Sequence, residues 1–312
     1  MAVAVVLVFT VQGVKGPAEA VLSLPGTRPS HPARQNPDGP LSTVPASYLG
    51  LYSDGVPDSY AGVTAFTKST GVKPDLVSYY SGWYEPFKTN FAAAAAREGA
   101  VPLVQIDPAG ISVASIAAGR YDAYLATYAQ DVRAYRHPVI LSFGHEMNGY
   151  WYSWGYQNTP ATVFVAAWRH IVDVFREQGA QNVTWLWTIN IIHKRARVPS
   201  PGPWWPGSSY VNWVGIDGYY YNNSNTFANL FGPTIAAVRG LTHDPILIAE
   251  TAILPAANQR AKISDLFAGI KLYDLLGFVW FDSVHVFDWR LSDAGAISVF
   301  RQHAQAYQKS AP

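Results

Sequence analysis

The chain has 312 residues, a formal net charge of +1 and no cysteine, and only 14% of its residues are charged. Soluble domains usually carry about 25% charged residues, so this composition is unusually poor in charge. The near-zero net charge argues against nucleic-acid binding, and the missing cysteines exclude disulfides, thiolate nucleophiles and cysteine metal sites. The length suffices for one large domain.

Two segments precede the predicted globular domain. Residues 2–11 are apolar and Ala18-Glu19-Ala20 resembles a cleavage site, so residues 1–20 predict an export signal and a secreted protein. The apolar run is too short for stable membrane insertion, and a disordered leader or a late start at Met1 are the alternatives. Residues 21–46 contain six prolines and predict a flexible linker, which leaves residues 47–310 for the domain.

Eight short apolar runs follow, and most of them are succeeded by an amphipathic stretch. They lie at residues 49–52, 76–80, 102–106, 139–143, 183–188, 213–216, 246–249 and 278–281. Eight strands alternating with helices predict an α/β fold, a (β/α)8 TIM barrel that forms a single catalytic domain. An open doubly wound sheet is the main alternative, but no Gly-x-Gly-x-x-Gly turn follows an early strand.

Three of the intervening stretches carry apolar residues at helical spacing, namely residues 121–135, 164–175 and 263–270. Before the second of them, Thr159 and Pro160 predict the N-cap and the first helical position.

Polar side chains stand at or just beyond the ends of six predicted strands. In a TIM barrel the carboxyl ends of all strands meet at one rim, where catalytic groups lie. The sequence therefore predicts that these residues share one site: Asp107, Glu146, Asn190, Asp217, Glu250 and Asp282.

Two of these residues are glutamates that end similar apolar runs, 104 residues apart. At roughly 30 residues per strand–helix unit, this separation is about three units. Five aromatic residues between positions 150 and 156 follow Glu146, including Trp151 and Trp154. Such rings stack on sugars, and their apolar surroundings raise the pKa of a nearby carboxyl group. Two carboxyl groups on either side of the scissile bond are what glycoside hydrolysis commonly needs.

The strand-four segment from His145 to Gly155 (HEMNGYWYSWG) resembles glycoside hydrolase family 26. Residues 210–219 (YVNWVGIDGY) are similar to the family's strand-six signature, and the likeness extends over roughly residues 47–308. The family contains endo-β-1,4-mannanases, mixed-linkage β-glucanases and some xylanases. The resemblance implies a retaining glycosidase. His145-Glu146 invites a zinc interpretation, but the motif His-Glu-x-x-His is absent because position 149 is glycine, so neither a metal nor a cofactor is expected.

The resemblance also implies a role for each matching position. Glu146 corresponds to the acid/base, Glu250 to the nucleophile, and Tyr219 to the tyrosine that hydrogen-bonds the nucleophile. The other matches imply contacts with the sugar or its surroundings: His145, Trp151, Trp154, Asp217, and Trp280 as the floor beneath the reacting sugar. The less specific interpretations are a strand-end carboxylate for Glu250, a core histidine for His145 and a barrel-rim buttress for Asp217.

The sequence departs from the family at Ser142, where many members carry arginine, and at Thr188-Ile189-Asn190, where relatives often have Ser-Pro-Asn. These departures bear on the substrate more than on the chemistry. The predicted function is a retaining endo-β-glycanase acting on β-1,4-mannan, with mixed-linkage β-glucan or xylan as the alternative substrate. A glycan-binding barrel without activity is the alternative of another class. A monomer is expected, with a polysaccharide as the partner and no nucleic acid.

Overall fold

The computed structural model describes residues 41–193 and 197–309. The predicted export signal and residues 21–40 of the predicted linker lie outside these residues, so the interpretation of residues 1–40 stays a prediction. The last part of the predicted linker packs on the barrel, because Leu41 is buried and the Ala46 amide donates a hydrogen bond to the Leu275 carbonyl at 2.8 Å. The described residues contain no helix of the length and apolarity that a membrane crossing requires.

Eight parallel strands form a closed barrel in sequence order, which confirms the predicted TIM fold. They are β1 (Tyr48–Ser53), β2 (Leu76–Gly82), β3 (Val101–Asp107), β4 (Val139–Phe143), β5 (Val183–Asn190), β6 (Trp213–Asp217), β7 (Ile246–Thr251) and β8 (Gly277–Asp282). Each contains one of the eight predicted runs, and most extend one or two residues beyond the predicted run.

Helices connect the strands on the outside of the barrel. In the described part of the chain they are α1 (Ala61–Thr70), α2 (Thr89–Arg97), α3 (Val113–Ala117), α4 (Asp122–Tyr135), α5 (Ala161–Glu177), α6 (Phe227–Leu230), α7 (Gly232–Arg239), α8 (Gln259–Leu272) and α9 (Ala294–Lys309). The three predicted amphipathic helices are confirmed as α4, α5 and α8, whose apolar stripes are buried.

The predicted start of α5 was wrong by one residue. Pro160 has an extended backbone (φ −57°, ψ 140°), so it is the N-cap and α5 begins at Ala161. Thr159 does not cap the helix, because its hydroxyl donates a hydrogen bond to the Ser153 carbonyl at 3.0 Å.

The barrel interior is apolar at its amino-terminal end and polar towards the carboxyl-terminal rim. Leu41, Tyr48, Leu76, Leu103, Ile140, Leu186, Trp213, Leu247 and Leu276 belong to the apolar layer. Above them Ser142 of β4 and Thr188 of β5 are fully buried and share a hydrogen bond of 3.0 Å. Ser142 is thus an uncharged link between two strands directly beneath the acidic rim.

One local distortion of the barrel decides where the rim side chains point. The step from Leu247 to Glu250 on β7 faces the shorter step from Gly215 to Asp217 on β6, and the step from Ile248 to Thr251 faces the shorter step from Phe278 to Trp280 on β8, so β7 carries one extra residue. Such a bulge interrupts the alternation of side chains between the two faces of a strand. Ala249 faces the apolar barrel interior, and the bulge lets the next residue, Glu250, also turn to the inside, opposite Asp217.

Candidate active site

The polar residues at the ends of β4 to β7 are neighbours along the rim. Asn190 is paired with Asp217, and Asp217 with Glu250, in the strand register. The Glu146 amide donates a hydrogen bond to the Thr188 carbonyl at 2.9 Å, which places the residues after β4 beside the end of β5. Residues far apart in sequence thus form one row of four polar side chains.

A tight turn after β4 aims Glu146 at this row. Gly144 and Glu146 both have left-handed backbones (φ 54°). A Cβ on Gly144 would lie 2.9 Å from the Phe164 ring of α5, so only glycine fits at this position. Asn148 then fixes the turn to β5. Its side chain accepts a hydrogen bond from the backbone N–H of Asn190 and donates one to the backbone carbonyl of Asn190, both at 2.9 Å.

Both carboxyl oxygens of Glu146 accept hydrogen bonds. The Trp151 indole donates to Oε2 at 2.8 Å, and the side-chain amide of Asn190 donates to Oε1. Burial raises the pKa of Glu146, while the His145 charge and the two donors oppose the rise without cancelling it. A buried carboxyl group with a raised pKa can hold a proton at neutral pH and give it up to a bound substrate.

His145 forms an ion pair with Asp107 next to Glu146. Its Nδ1 lies 2.8 Å from the Asp107 carboxylate, and its Nε2 lies 3.1 Å from the Tyr152 hydroxyl. Burial lowers the pKa of His145, but Asp107 and the other nearby carboxyl groups outweigh it and raise the pKa to about 9. The imidazole is therefore charged at neutral pH, and both ring nitrogens donate.

Glu250 lies across the rim and accepts a hydrogen bond from the Tyr219 hydroxyl on its Oε1. Burial raises the pKa of Glu250 to about 8. Burial also raises the pKa of Tyr219 well above 10, so the phenol keeps its proton and remains a donor. The Trp289 ring packs against Tyr219 with 4.5 Å between centroids, which fixes the phenol in place.

Asp217 lies between Asn190 and Glu250 and is fully buried. Neither of its carboxyl oxygens has a hydrogen-bond partner among the described residues. Burial, and then the charge of Glu146, raise the pKa of Asp217 well above its usual value, which favours the neutral, protonated form. The site thus contains three carboxyl groups whose pKa values are all raised.

The structure brings together most of the predicted site residues, namely Glu146, Glu250, His145, Trp151, Asp217 and Tyr219. Trp154 is close by but only 3% exposed, because it stacks on Tyr152 at 4.3 Å and donates to the His145 carbonyl at 2.8 Å. It supports the strand-four loop from beneath instead of presenting its face to a ligand.

Trp280 is not part of the site, which corrects the prediction that it forms the floor beneath the reacting sugar. Its neighbour across the register is Leu51, and both side chains belong to the core between the barrel and the helices. The ring is fully buried, 5.5 Å from Phe300 of α9. The strand alternation turns the next residue, Phe281, towards the rim instead, where its ring lies 6.0 Å from that of Tyr219.

Asp282 also has another role than predicted, because it accepts a hydrogen bond from the Leu291 amide at 2.7 Å and holds the loop after β8. Asn190 was predicted at the rim, and the structure adds its hydrogen bond to Glu146. The contacts of Tyr152 with His145 and of Trp289 with Tyr219 were not predicted. Trp289 lies in a loop with no periodic pattern, so only its contact with Tyr219 reveals it.

Since Trp280 is a core residue, Trp280→Ala should lower the free energy of unfolding by about 3–5 kcal/mol. Urea denaturation would measure the loss, and a cycle with Phe300→Ala should give a coupling of roughly 0.5–3 kcal/mol. A loss below about 1 kcal/mol would contradict the assignment of the ring to the core.

The sequence profile of glycosyl hydrolase family 26 matches residues 112–303, more than half of the chain. Endoglucanase H of Acetivibrio thermocellus is 30% identical over 265 residues, which are 80% of this chain and 29% of the relative. The β-1,3-xylanase TXYA of a Vibrio species is 29% identical over 167 residues, 49% of this chain and 35% of the relative. The chain therefore spans about a third of the length of these relatives.

Solved structures show the same fold. The catalytic domain of the family 26 endo-β-1,4-mannanase of Bacillus sp. JAMB-750 aligns with a TM-score of 0.63 and 16% identity, covering 84% of this chain and 86% of that one. At this identity the likeness establishes the barrel and not the substrate. The profile match over more than half of the sequence shows the family, and the chain belongs to glycosyl hydrolase family 26.

Proposed function

We propose that this protein hydrolyses internal glycosidic bonds of a β-linked polysaccharide with retention of configuration. The reaction is a double displacement in which Glu250 is the nucleophile and Glu146 is the acid/base. The observation that carries the proposal is the pair of buried carboxyl groups at the ends of β4 and β7, each hydrogen-bonded by its own donors. Two carboxyl groups about 5–5.5 Å apart characterise retaining glycosidases. The division of roles follows the family resemblance.

In the first step the Glu250 carboxylate forms a bond to the anomeric carbon while the glycosidic C–O bond breaks. The proton of Glu146 passes to the departing oxygen, which leaves as a sugar hydroxyl. In the second step Glu146 removes a proton from water, the water oxygen bonds to the anomeric carbon, and Glu250 leaves as a carboxylate. Burial raises the pKa of Glu146, which suits its first role as an acid. Esterification then replaces the Glu250 carboxylate with a neutral ester, and the loss of a nearby negative charge favours the ionised Glu146 that the second step needs.

The surroundings of the pair fit this cycle. The Tyr219 hydroxyl stabilises the Glu250 carboxylate, which burial alone would keep protonated up to a pH of about 8. Asp217, as a neutral acid, adds no negative charge beside the nucleophile. The half-buried Trp151 holds Glu146 through its indole and offers a ring beside the bond to be cleaved.

The favoured substrate is β-1,4-mannan. The names of the relatives support β-glucan and β-1,3-xylan as competing substrates. Incubation of the purified protein with galactomannan, barley β-glucan, β-1,4-xylan and β-1,3-xylan in parallel, with measurement of released reducing ends, would identify the polymer. Binding without release from any of them would favour the non-catalytic glycan-binding barrel. The binding-only interpretation is less favoured, because burying two carboxyl groups destabilises the folded protein and a protein that only binds glycans gains nothing from it.

The Tyr219→Phe variant should shift the pH dependence of kcat/KM. Without the hydroxyl donor the pKa of Glu250 rises, so the ascending limb should move to higher pH by about one unit and kcat should fall roughly tenfold. The matched control is Trp151→Phe, which removes a donor from Glu146 and should move the descending limb to higher pH instead. Both limbs remaining in place in Tyr219→Phe would contradict the role given to this hydroxyl.

A further inference from the structure

The loop after β2 exposes a large aromatic side chain on the catalytic side of the barrel. Tyr84 is 60% exposed, the highest value of any Phe, Trp or Tyr that the structure describes. Its ring lies 5.4 Å from Tyr124 and 6.0 Å from Tyr121, both in edge-to-face contact at the start of α4. These three tyrosines are called the Tyr84 surface. A ring this exposed contributes little to the core, so packing does not explain its position.

The backbone of Tyr84 is held in an unfavourable conformation. Its φ of 68° lies in the left-handed region, which costs a non-glycine residue about 1–3 kcal/mol. The next residue is fixed by the Tyr124 hydroxyl, which donates to the Glu85 carbonyl at 3.1 Å. The loop is thus built to present this ring, and strained residues of this kind are typical of ligand-binding sites.

The Tyr84 surface is continuous with the active site. Gly82, two residues before Tyr84, pairs with Asp107, which in turn binds His145. Two strand spacings separate β2 from β4, so the loop begins roughly 10 Å from the strand that leads to Glu146. The ring of Trp83 connects the Tyr84 surface to the end of β4, since it contacts Tyr124 at 5.1 Å and Phe143 at 6.2 Å.

The chemistry of the surface favours a sugar over other ligands. Glu85 and Lys88 form an ion pair at 3.4 Å beside the tyrosines, so no net charge is offered to an ionic ligand. A single exposed ring with two half-buried neighbours is much smaller than the roughly 800 Å² that each partner of a stable protein complex buries. It matches one pyranose ring, whose apolar face stacks on an aromatic face.

We propose that the Tyr84 surface binds a sugar unit of the same polysaccharide chain that is cleaved at Glu146, at a position remote from the scissile bond. The proposal rests on the function proposed above and extends the cleft along the ends of β2 and β3. Tyr84 supplies the face on which the sugar stacks, while the edge-to-face contacts with Tyr121 and Tyr124 hold its ring in position. A long substrate gains this contact, and a substrate that spans only the cleavage point does not.

Kinetics of Tyr84→Ala on a long and a short substrate test the proposal. On the polysaccharide that the wild type cleaves, KM should rise roughly threefold to tenfold with little change in kcat. On an activated aryl disaccharide both constants should be unchanged. Tyr84→Phe should restore the wild-type KM, because the ring remains, and Tyr84→Gly should behave like alanine although glycine accepts the left-handed backbone without strain.

Leu272→Ala provides the control, since Leu272 is 78% exposed at the end of α8, far from the catalytic rim. An unchanged KM in Tyr84→Ala, an equal loss on the aryl disaccharide, or a Tyr84→Phe variant as weak as alanine would overturn the proposal. If the wild type cleaves none of the polymers, the proposed function fails separately. Electrophoresis in gels containing each polysaccharide then decides, because retardation lost in Tyr84→Ala supports the surface and no retardation of the wild type refutes it.

Discussion

The Glu250→Ala variant should lose activity on the polysaccharide by a factor of about 10^4 or more, because no glycosyl–enzyme can form without the nucleophile. Addition of azide should restore part of the activity. The small anion enters the space of the missing carboxylate and attacks the anomeric carbon directly. A single displacement then gives a glycosyl azide of inverted configuration, which NMR spectroscopy of the product identifies. The wild type should release sugars of retained configuration.

Asp282→Asn is the matched control for this experiment. Asp282 also ends a barrel strand, but it holds the loop after β8 through the Leu291 amide and takes no part in the proposed reaction. Asparagine keeps the acceptor, so activity within about tenfold of the wild type is expected. Undiminished activity in Glu250→Ala would end the assignment of the nucleophile, and rescue with retained configuration would mean that the two glutamates exchange roles.

The Glu146→Ala variant should separate substrates by their leaving groups. Cleavage of the polysaccharide should fall by about 10^2- to 10^4-fold, because a sugar alkoxide needs a proton to depart. A dinitrophenyl glycoside leaves without protonation, so its first step should be nearly unaffected. The second step lacks its base, and the covalent intermediate should accumulate and appear as a burst of released phenol.

Mass spectrometry of the trapped intermediate would place the sugar on Glu250. Azide should accelerate the second step in this variant and give a product of retained configuration, the opposite of the Glu250→Ala result. Equal losses on both substrates, with no burst, would argue that Glu146 serves the structure of the rim and not proton transfer.

The electrostatics of the rim explain how two glutamates can take different parts. Burial raises the pKa values of Glu146, Asp217 and Glu250 together, so the row cannot ionise fully at neutral pH. His145 is the counter-charge, but Asp107 engages it at 2.8 Å. The charge of Glu146 also raises the pKa of Asp217, so the protonation of these two neighbours is linked. The substrate decides how the protons are distributed, because a developing positive charge at the anomeric carbon favours an ionised Glu250.

The strands, the helices and the strand-end position of the acids were predictable from the sequence. Fully buried parallel strands appear as short apolar runs, and their number and spacing leave few alternatives to a closed barrel. The motif around Glu146 is local, because the turn that needs Gly144 and the aromatic ring that holds the acid lie within a dozen residues. Such features are determined by neighbouring residues and are visible in one stretch of chain.

The direction of individual side chains was not predictable in the same way. Simple alternation from Ala249 would turn Glu250 towards the helices, and only the bulge paired with β6 turns it inwards. Trp280 is a strand-eight tryptophan in the sequence, yet its register with Leu51 places it against α9. Trp289 and Tyr84 acquire their surroundings from segments distant in the chain. Sequence by itself determined the barrel and the identity of its acids, while tertiary structure decided which side chains face the cleft, because strand register and bulges depend on contacts between segments that no local pattern encodes.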